Sequence, residues 1–564
     1  MACCVLMAIH FPAALYLPKD AFDTTTNQVI GRRIAGRLLT LAFAEQLQAG
    51  EMLTLFSPGE GAAEAVNSLL AGQVSPAATV RVGGQPDPAV LADIGALHLP
   101  DPLLAAWTRL RHGGPANAFS ITGVIHTVCS EGVLQGLAEI PLAPLYPWDA
   151  VICTSTAGRT VLRNALEHRL EAMAARLGTP AASLESLGLP QLPVIPLVAS
   201  DQQPYHPHLS RDERRQVARQ HLGIDTQSFV VTFVGRLSFH SKCHPLSLYR
   251  ALEALAQENP NHSIVLVECG HIYNSSIAAA YEELRAQFPR LQFRLVGGLQ
   301  PASELDKWQA LAAADVFASP SDNIQETFGL SLLEAMAAEL PLVVSDWNGY
   351  RDLVTPGLNG FLVPTSDVLV DFDQADEIEV AYRDGSISYD WMIGLRSLGV
   401  IVDHQAFVHA FRLLLKEPTL RARMAQASRC ELQQRFSAPA VTQAYRHLWG
   451  ELAEHRRAAL GQQSMTLPPL APCYGRLFRH YSTCGFRDSG ATAIAVPQSI
   501  SVLTSAMNES LLKSLAADRW SEFLALFEAG RPIDSRELQN IGLTATQASC
   551  LLAALHKLGL ASVT

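Results

Sequence analysis

In "SDNIQETFGLSLLEAMAAELP", residues 321 to 341, Glu326 and Glu334 flank the seven residues "TFGLSLL". The preceding "ADVFASPSDN" reads as a strand ending in a turn, whereas "GLSLLEAMAAE" is rich in strong helix formers from Leu330 onward. Gly329 can take backbone angles that other residues avoid, so the pattern predicts a helix start near 329 to 331. Free backbone N–H groups and the positive end of the helix dipole would then face the strand-end cleft, where a phosphate can bind. Glu326 falls just outside this helix and Glu334 inside its second turn. Acidic residues also favour helix starts on electrostatic grounds alone, so the pair needs a second feature before it implies chemistry.

"FVVTFVGRLSFHSKCHP" supplies that feature: its strand ends at Val234 and presents Gly235, Arg236 and Lys242 in a loop at the same sheet edge. Two cations beside a helix start suit a diphosphate, the arginine through forked hydrogen bonds and the lysine as a point charge. The carboxylates cannot usefully neutralise such an anion and are assigned to hydroxyl groups. A diphosphate flanked by hydroxylated rings is a nucleotide sugar.

These loops need a parallel sheet to hold them. Short apolar runs alternate with longer helix-period segments: "VLMAIHF", "EMLTLFS", "ATVRVGG", "ITGVIHT", "DAVICTS" and "LPVIPLV" over residues 1 to about 200. The pattern restarts after "SRDERRQVARQHLGI", which opens with a capping box of Ser210 and Glu213, and continues through "FVVTFVGRL", "SIVLVECG", "LQFRLVGG", "ADVFASPS", "LPLVVSD" and "NGFLVPT" to about residue 440. The fold class is α/β: two doubly wound Rossmann-like domains, 1–200 and 201–440, facing a cleft, with ligands at the carboxyl ends of the strands. An insertion is expected over 366–402, a helix returning to the first domain over 441–458, a linker over 459–499 and a small helical domain over 500–564.

The totals bound the alternatives. At 564 residues with 48% hydrophobic and 17% charged residues, the chain is globular and carries two or three domains. The net charge of −11 argues against a nucleic-acid partner. Ten scattered cysteines with no C-x-x-C pair suit a reducing, cytoplasmic setting, and Cys473, His480 and Cys484 match no common zinc spacing. The apolar opening "MACCVLMAIHFPAALYLP" lacks a basic leader and is interrupted by His10 and prolines, which fits a buried strand rather than a membrane span. Arg32, Arg33 and Arg37 in "GRRIAGRLLTLAFAEQL" read chiefly as a solvated helix face, with peripheral membrane or acidic-acceptor contact as the alternative.

With these residues in place, "ETFGLSLLEAMAAELPLVVSD" resembles the E-x7-E element of the retaining GT-B glycosyltransferases of family 4 (glycosyl transferases group 1), and "GRLSFHSK" resembles their G-R-L-x-x-x-K loop. The resemblance is strong over 229–364, fair over 400–455, weaker over the first 200 residues and absent after about 460. Here the Arg-to-Lys spacing is one residue longer than the family's, Cys243 stands where a glycine follows the lysine, and Glu339 replaces the glycine that ends the helix.

The resemblance implies that Arg236 and Lys242 bind the donor diphosphate and stabilise the leaving group. It implies that Glu326 holds hydroxyls of the transferred sugar, that the amides of Phe328, Gly329, Leu330 and Ser331 lie close to sugar and phosphate, and that Glu334 grips the ribose. Gly235 opens the cationic loop, Gly31 would occupy a glycine loop after the first strand, and His126 in "ITGVIHT" would approach the sugar. The expected activity is hexosyl transfer from a UDP-, GDP- or ADP-sugar to a saccharide, lipid-linked or protein acceptor, with retention of configuration and with neither metal nor cofactor.

Two rivals stand beside it. A glycoside hydrolase using Glu326 and Glu334 would leave Arg236, Lys242 and the helix start without a purpose. A non-catalytic binding or scaffold protein of the same fold is suggested by the tail, where "EFLALFEAGRPIDSRELQNIGLTATQASCLLAALHKLGLASV" reads as three helices with helix-turn-helix spacing. Residues 501–564 hold five Lys/Arg against six Asp/Glu, which argues against DNA and for a protein docking role.

Overall fold

The computed structural model describes residues 9–24, 31–112, 114–200, 204–368, 376–459, 477–481, 491–494, 497–529 and 532–563. They form two compact units, 1–470 and 471–564. The first unit contains two parallel sheets. In the first sheet, β1 (Ile9–His10) and β2 (Ala14–Tyr16) run in succession beside β3 (Glu51–Phe56), pairing Ile9 with Glu51 and Leu15 with Leu55. β4 (Thr79–Gly83) flanks β3 on its other side, while β5 (Ala96–Leu99), β6 (Ser120–Val124) and β7 (Ala150–Ile152) continue outward from β2.

The second sheet comprises β8 (Phe229–Val234), β9 (Ile264–His271), β10 (Leu291–Gly298), β11 (Val316–Ser319), β12 (Leu342–Ser345) and β13 (Gly360–Val363). Its order is β10-β9-β8-β11-β12-β13, all parallel. Each of the six sequence runs expected in this domain is a strand. Every residue of β8 is buried, as a strand covered on both faces requires. The chain leaves β8 toward β10 and returns on the other side as β11, so the loops after β8 and β11 diverge and open a crevice between them. The two doubly wound domains facing a cleft are the GT-B arrangement.

Some expectations need correction. "LPVIPLV" makes only an isolated bridge at Val194, with another at Gln191 just before it, because Pro193 and Pro196 remove ladder donors. The four-residue β5 was not expected; it is too short, with His98 inside it, to show a period. The first residues of the apolar opening, 1–8, lie outside the described residues.

Helix Ala438–Ala458 follows the second domain yet packs on the first. Its Tyr445 and Trp449 join Phe11 and Phe43 in edge-on and tilted ring contacts. Arg446 makes a forked pair with the buried carboxylate of Glu51, at 2.7 Å and 2.6 Å. Between β13 and helix His404–Lys416, the chain makes an excursion closed at its base by β14 (Thr365–Asp367) pairing antiparallel with β15 (Val400–Val402). Helices Glu377–Arg383 and Tyr389–Ser397 lie within it.

The second unit is not purely helical. β16 (Ala491–Ile494) pairs antiparallel with β17 (Pro532–Ile533) and β18 (Ala561–Val563), so 491–499, expected as linker, belongs to this unit. Helices Ser535–Asn540 and Ala545–Lys557 form the expected pair around Gly542, with Thr544 as the cap. Cys473 and Cys484 lie outside the described residues. Among the described residues, no helix is long and apolar enough to cross a membrane.

Replacing Arg446 by Ala strands the Glu51 carboxylate in a buried setting and should destabilise the first unit by about 3 kcal/mol. Urea denaturation followed by tryptophan fluorescence checks this, and an unchanged midpoint would show that the pair does not tie the helix to the first sheet.

Candidate functional site

A cleft of about 600 Å³ lies between the carboxyl ends of the two sheets. Its floor on the second domain is set by helix Leu330–Ala337. Gly329 caps this helix with φ of 113°, and among the described residues no side chain caps its first turn. A β-carbon at Gly329 would come within 2.6 Å of the Tyr350 ring, so both the backbone angle and the space require glycine. The Ser331 and Thr327 hydroxyls on the cleft wall are buried without a hydrogen-bond partner among the described residues. An uncapped helix start with unused hydroxyls beside it is a place for an external acceptor of hydrogen bonds, which is what an anion is. At the other end of the same helix, Glu339 holds φ of 59°, the turn geometry for which glycine is usual.

The loop after β8 approaches from the other side of the crevice. Gly270 at the end of β9 makes room for it, since a β-carbon there would meet the Gly235 carbonyl at 1.7 Å. Arg236 donates to the Tyr273 hydroxyl at 3.0 Å, the Ser241 carbonyl at 3.1 Å and the Gln325 side-chain carbonyl at 2.6 Å. All three acceptors are neutral. Among the described residues no carboxylate lies within ion-pairing distance of Arg236, so its charge is held in place by neutral groups.

The lysines differ. Lys242 is ion-paired with Glu326, and Lys307 with Glu334 at 2.6 Å and Glu304 at 2.8 Å. Burial pushes the Glu326 carboxyl up, but the Lys242 ammonium beside it, aided by the Phe328 N–H, outweighs burial and holds it below the usual carboxylate range. For Glu334 burial wins over Lys307 and the carboxyl is raised. Both lysines stay cationic: burial would lower them, and their carboxylate neighbours more than offset it.

The first domain contributes His126, just past the end of β6. Burial, then the Arg32 charge, lowers its pKa to about 4, so the imidazole is neutral near pH 7 and can share a hydrogen bond with a hydroxyl. Gly31 lines the cleft as the first residue of helix Gly31–Glu45, not as a loop residue as expected, and residues 25–30 before it lie outside the described residues.

All the residues assigned to the donor and the transferred sugar line this one cleft: Gly31, His126, Gly235, Arg236, Lys242, Glu326, Phe328, Gly329, Leu330, Ser331 and Glu334. Sequence reasoning missed Lys307, Gln325 and Tyr389, which also line it. Arg32, expected on a solvated face, lines it too, within 3.6 Å of Asp20 and 3.8 Å of Asp101. Lys307 carries a faint signal, since "SELDK" opens with a Ser303 cap that fixes the first turn of helix Glu304–Ala313. Gln325 and Tyr389 carry none.

Comparison with known proteins places part of this chain. A family described as Glycosyl transferases group 1 matches residues 214–379. Similar proteins include D-inositol 3-phosphate glycosyltransferases from Corynebacterium jeikeium, 34% identical over 159 residues (28% of this chain, 36% of that protein), and from Jonesia denitrificans, 34% identical over 155 residues (27% and 35%). The chain thus spans about a third of the length of the curated relatives it matches. Among solved structures, Anabaena HepE in complex with UDP is 18% identical with a TM-score of 0.47, covering 78% of this chain and 100% of its own. Sucrose-phosphate synthase from Thermosynechococcus elongatus is 19% identical with a TM-score of 0.46, covering 79% and 100%.

The Lys242–Glu326 pair can be tested without knowing any substrate. Lys242→Met leaves burial as the largest influence on Glu326, and its carboxyl pKa should rise above the usual range. A carbon-13 titration of labelled glutamate carboxyls reads this; a pKa that stays low would assign the charge to the Phe328 N–H and Arg236 instead.

Proposed function

Because residues 214–379 belong to the glycosyl transferases group 1 family, we propose that this protein transfers a hexosyl group from a nucleotide-sugar donor to an acceptor, with retention of anomeric configuration. The observation that carries the reading is Arg236, a cation held by neutral acceptors beside the uncapped start of helix Leu330–Ala337. That combination is built for the diphosphate of a donor. As the bond from the anomeric carbon to the phosphate oxygen lengthens, negative charge grows on the departing diphosphate, and fixed donors aimed at it lower the barrier.

Each remaining residue then has a task. Glu326, kept ionised by Lys242, accepts hydrogen bonds from hydroxyls of the sugar being transferred. The ammonium of Lys242 keeps donors to spare for a phosphate oxygen, since one carboxylate does not use all three of its N–H groups. Glu334 faces the ribose. Neutral His126 meets the sugar from the first domain. The leaving diphosphate is the base that takes the acceptor proton, on the same face from which it departs, which gives retention. No cofactor or metal is assigned a part.

The donor base, UDP-, GDP- or ADP-linked, and the acceptor, whether saccharide, lipid-linked or protein, are left to experiment, as is the cytoplasmic setting. The hydrolase reading gains no support: it leaves Arg236 and the open helix start with no anion to bind. A panel of UDP-, GDP- and ADP-sugars should raise the melting temperature of the wild type for one nucleotide class, and Arg236→Ala should lose most of that shift. Equal shifts in both proteins would remove Arg236 from the diphosphate site.

A further inference from the structure

The excursion between β13 and helix His404–Lys416 reaches both sides of the cleft. Helix Tyr389–Ser397 rests on the second domain, where the Asn323 side-chain amide donates to the Ile393 carbonyl at 3.3 Å and to the His240 carbonyl at 2.9 Å. Contact here is close: a β-carbon at Gly394 would lie 2.8 Å from the His240 β-carbon. The Tyr389 hydroxyl then lies 3.2 Å from the Gln325 side-chain nitrogen and 3.0 Å from the Cys129 sulfur. Cys129 belongs to the first domain, in the loop that leads from β6 past His126. A second contact runs alongside, from the Glu131 N–H to the Tyr382 hydroxyl at 3.5 Å.

Chemistry fixes the direction of this chain from Arg236 as far as Tyr389. Arg236 can only donate, so the Gln325 oxygen faces it and the Gln325 nitrogen must face Tyr389. The Tyr389 oxygen accepts from that nitrogen, and the contact between the Tyr389 hydroxyl and the Cys129 thiol can be donated from either side. Four residues therefore form one line of donors and acceptors, Arg236 to Gln325 to Tyr389 to Cys129, and the line crosses from one domain to the other. A carboxylate at 325 would hold Arg236 more firmly and cancel its charge. The amide holds it through a dipole whose far end needs a partner, and Tyr389 is that partner.

We propose that Tyr389 is a positioning residue for Arg236: its hydroxyl orients the Gln325 amide that aims the guanidinium, and it does so while tied to the first domain. The inference rests on the donor-binding role of Arg236 given above and extends it. Aiming of the diphosphate cation is thereby coupled to closure of the cleft, because the line is complete only when Cys129 is within reach of Tyr389. Helix Tyr389–Ser397 is the element that carries the coupling.

Isothermal titration of the full chain with UDP, GDP and ADP tests this. Tyr389→Phe keeps the ring and removes the hydroxyl; for the nucleotide that binds the wild type it should weaken affinity about fivefold, the effect of one hydrogen bond, with the melting temperature unchanged. Gln325→Ala should weaken it at least as much, and the double variant should be no weaker than Gln325→Ala alone, since both changes cut one line. Cys129→Ser, whose hydroxyl still accepts, should keep more affinity than Cys129→Ala. Wild-type affinity in Tyr389→Phe, or losses that add in the double variant, would overturn the proposal while leaving the diphosphate reading intact. Failure of the wild type to bind any of the three nucleotides would overturn that reading and this inference with it.

Discussion

An arginine held only by neutral oxygens is the constraint on which this cleft depends. Arg236 takes its three partners from Tyr273, Ser241 and Gln325, and each fixes the guanidinium without cancelling its charge. The nearby helix adds unused N–H groups and the positive end of its dipole. The guanidinium and the helix start line the same crevice. Elsewhere in the cleft, charge is balanced locally, Lys242 by Glu326 and Lys307 by Glu334 and Glu304.

That contrast follows from burial. A lone cation or carboxylate in a partly dry site is costly, and pairing lowers the cost. The two Lys–Glu pairs hold one carboxylate just before helix Leu330–Ala337 and one within it, in defined positions suited to hydroxyl recognition. The raised Glu334 and the lowered Glu326 show that pairing does not act equally: one carboxyl is ruled by its lysine, the other by its surroundings. The sheet topology makes all this geometrically available, because the loops after β8 and β11 part at the point where strand order reverses.

Much of this is legible in the sequence. The break at Phe328 and Gly329 followed by strong helix formers located the helix start to within a residue, because only glycine tolerates that backbone angle. The strands of the second domain were legible as near-continuous apolar runs, the mark of a sheet covered on both faces. What escaped depends on contacts between distant segments. Lys307, Gln325 and Tyr389 reach the cleft from three separate elements, and their types alone mark nothing. Arg32 reads chiefly as part of a solvated helix face, since the sequence does not show that the start of this helix opens on the cleft. "LPVIPLV" failed as a strand since its prolines outweigh its apolar content, and the β16 strand was lost in a segment that reads as linker.

The central claim is that an anion bridging a nucleoside and a sugar rests on the start of helix Leu330–Ala337 under Arg236. A crystal structure of the wild type with its bound nucleoside diphosphate measures this directly. The account predicts phosphate oxygens within hydrogen-bonding distance of both the Leu330–Ser331 amides and the Arg236 guanidinium. Density for the diphosphate elsewhere in the cleft, with Arg236 still bound only to Tyr273, Ser241 and Gln325, would contradict it.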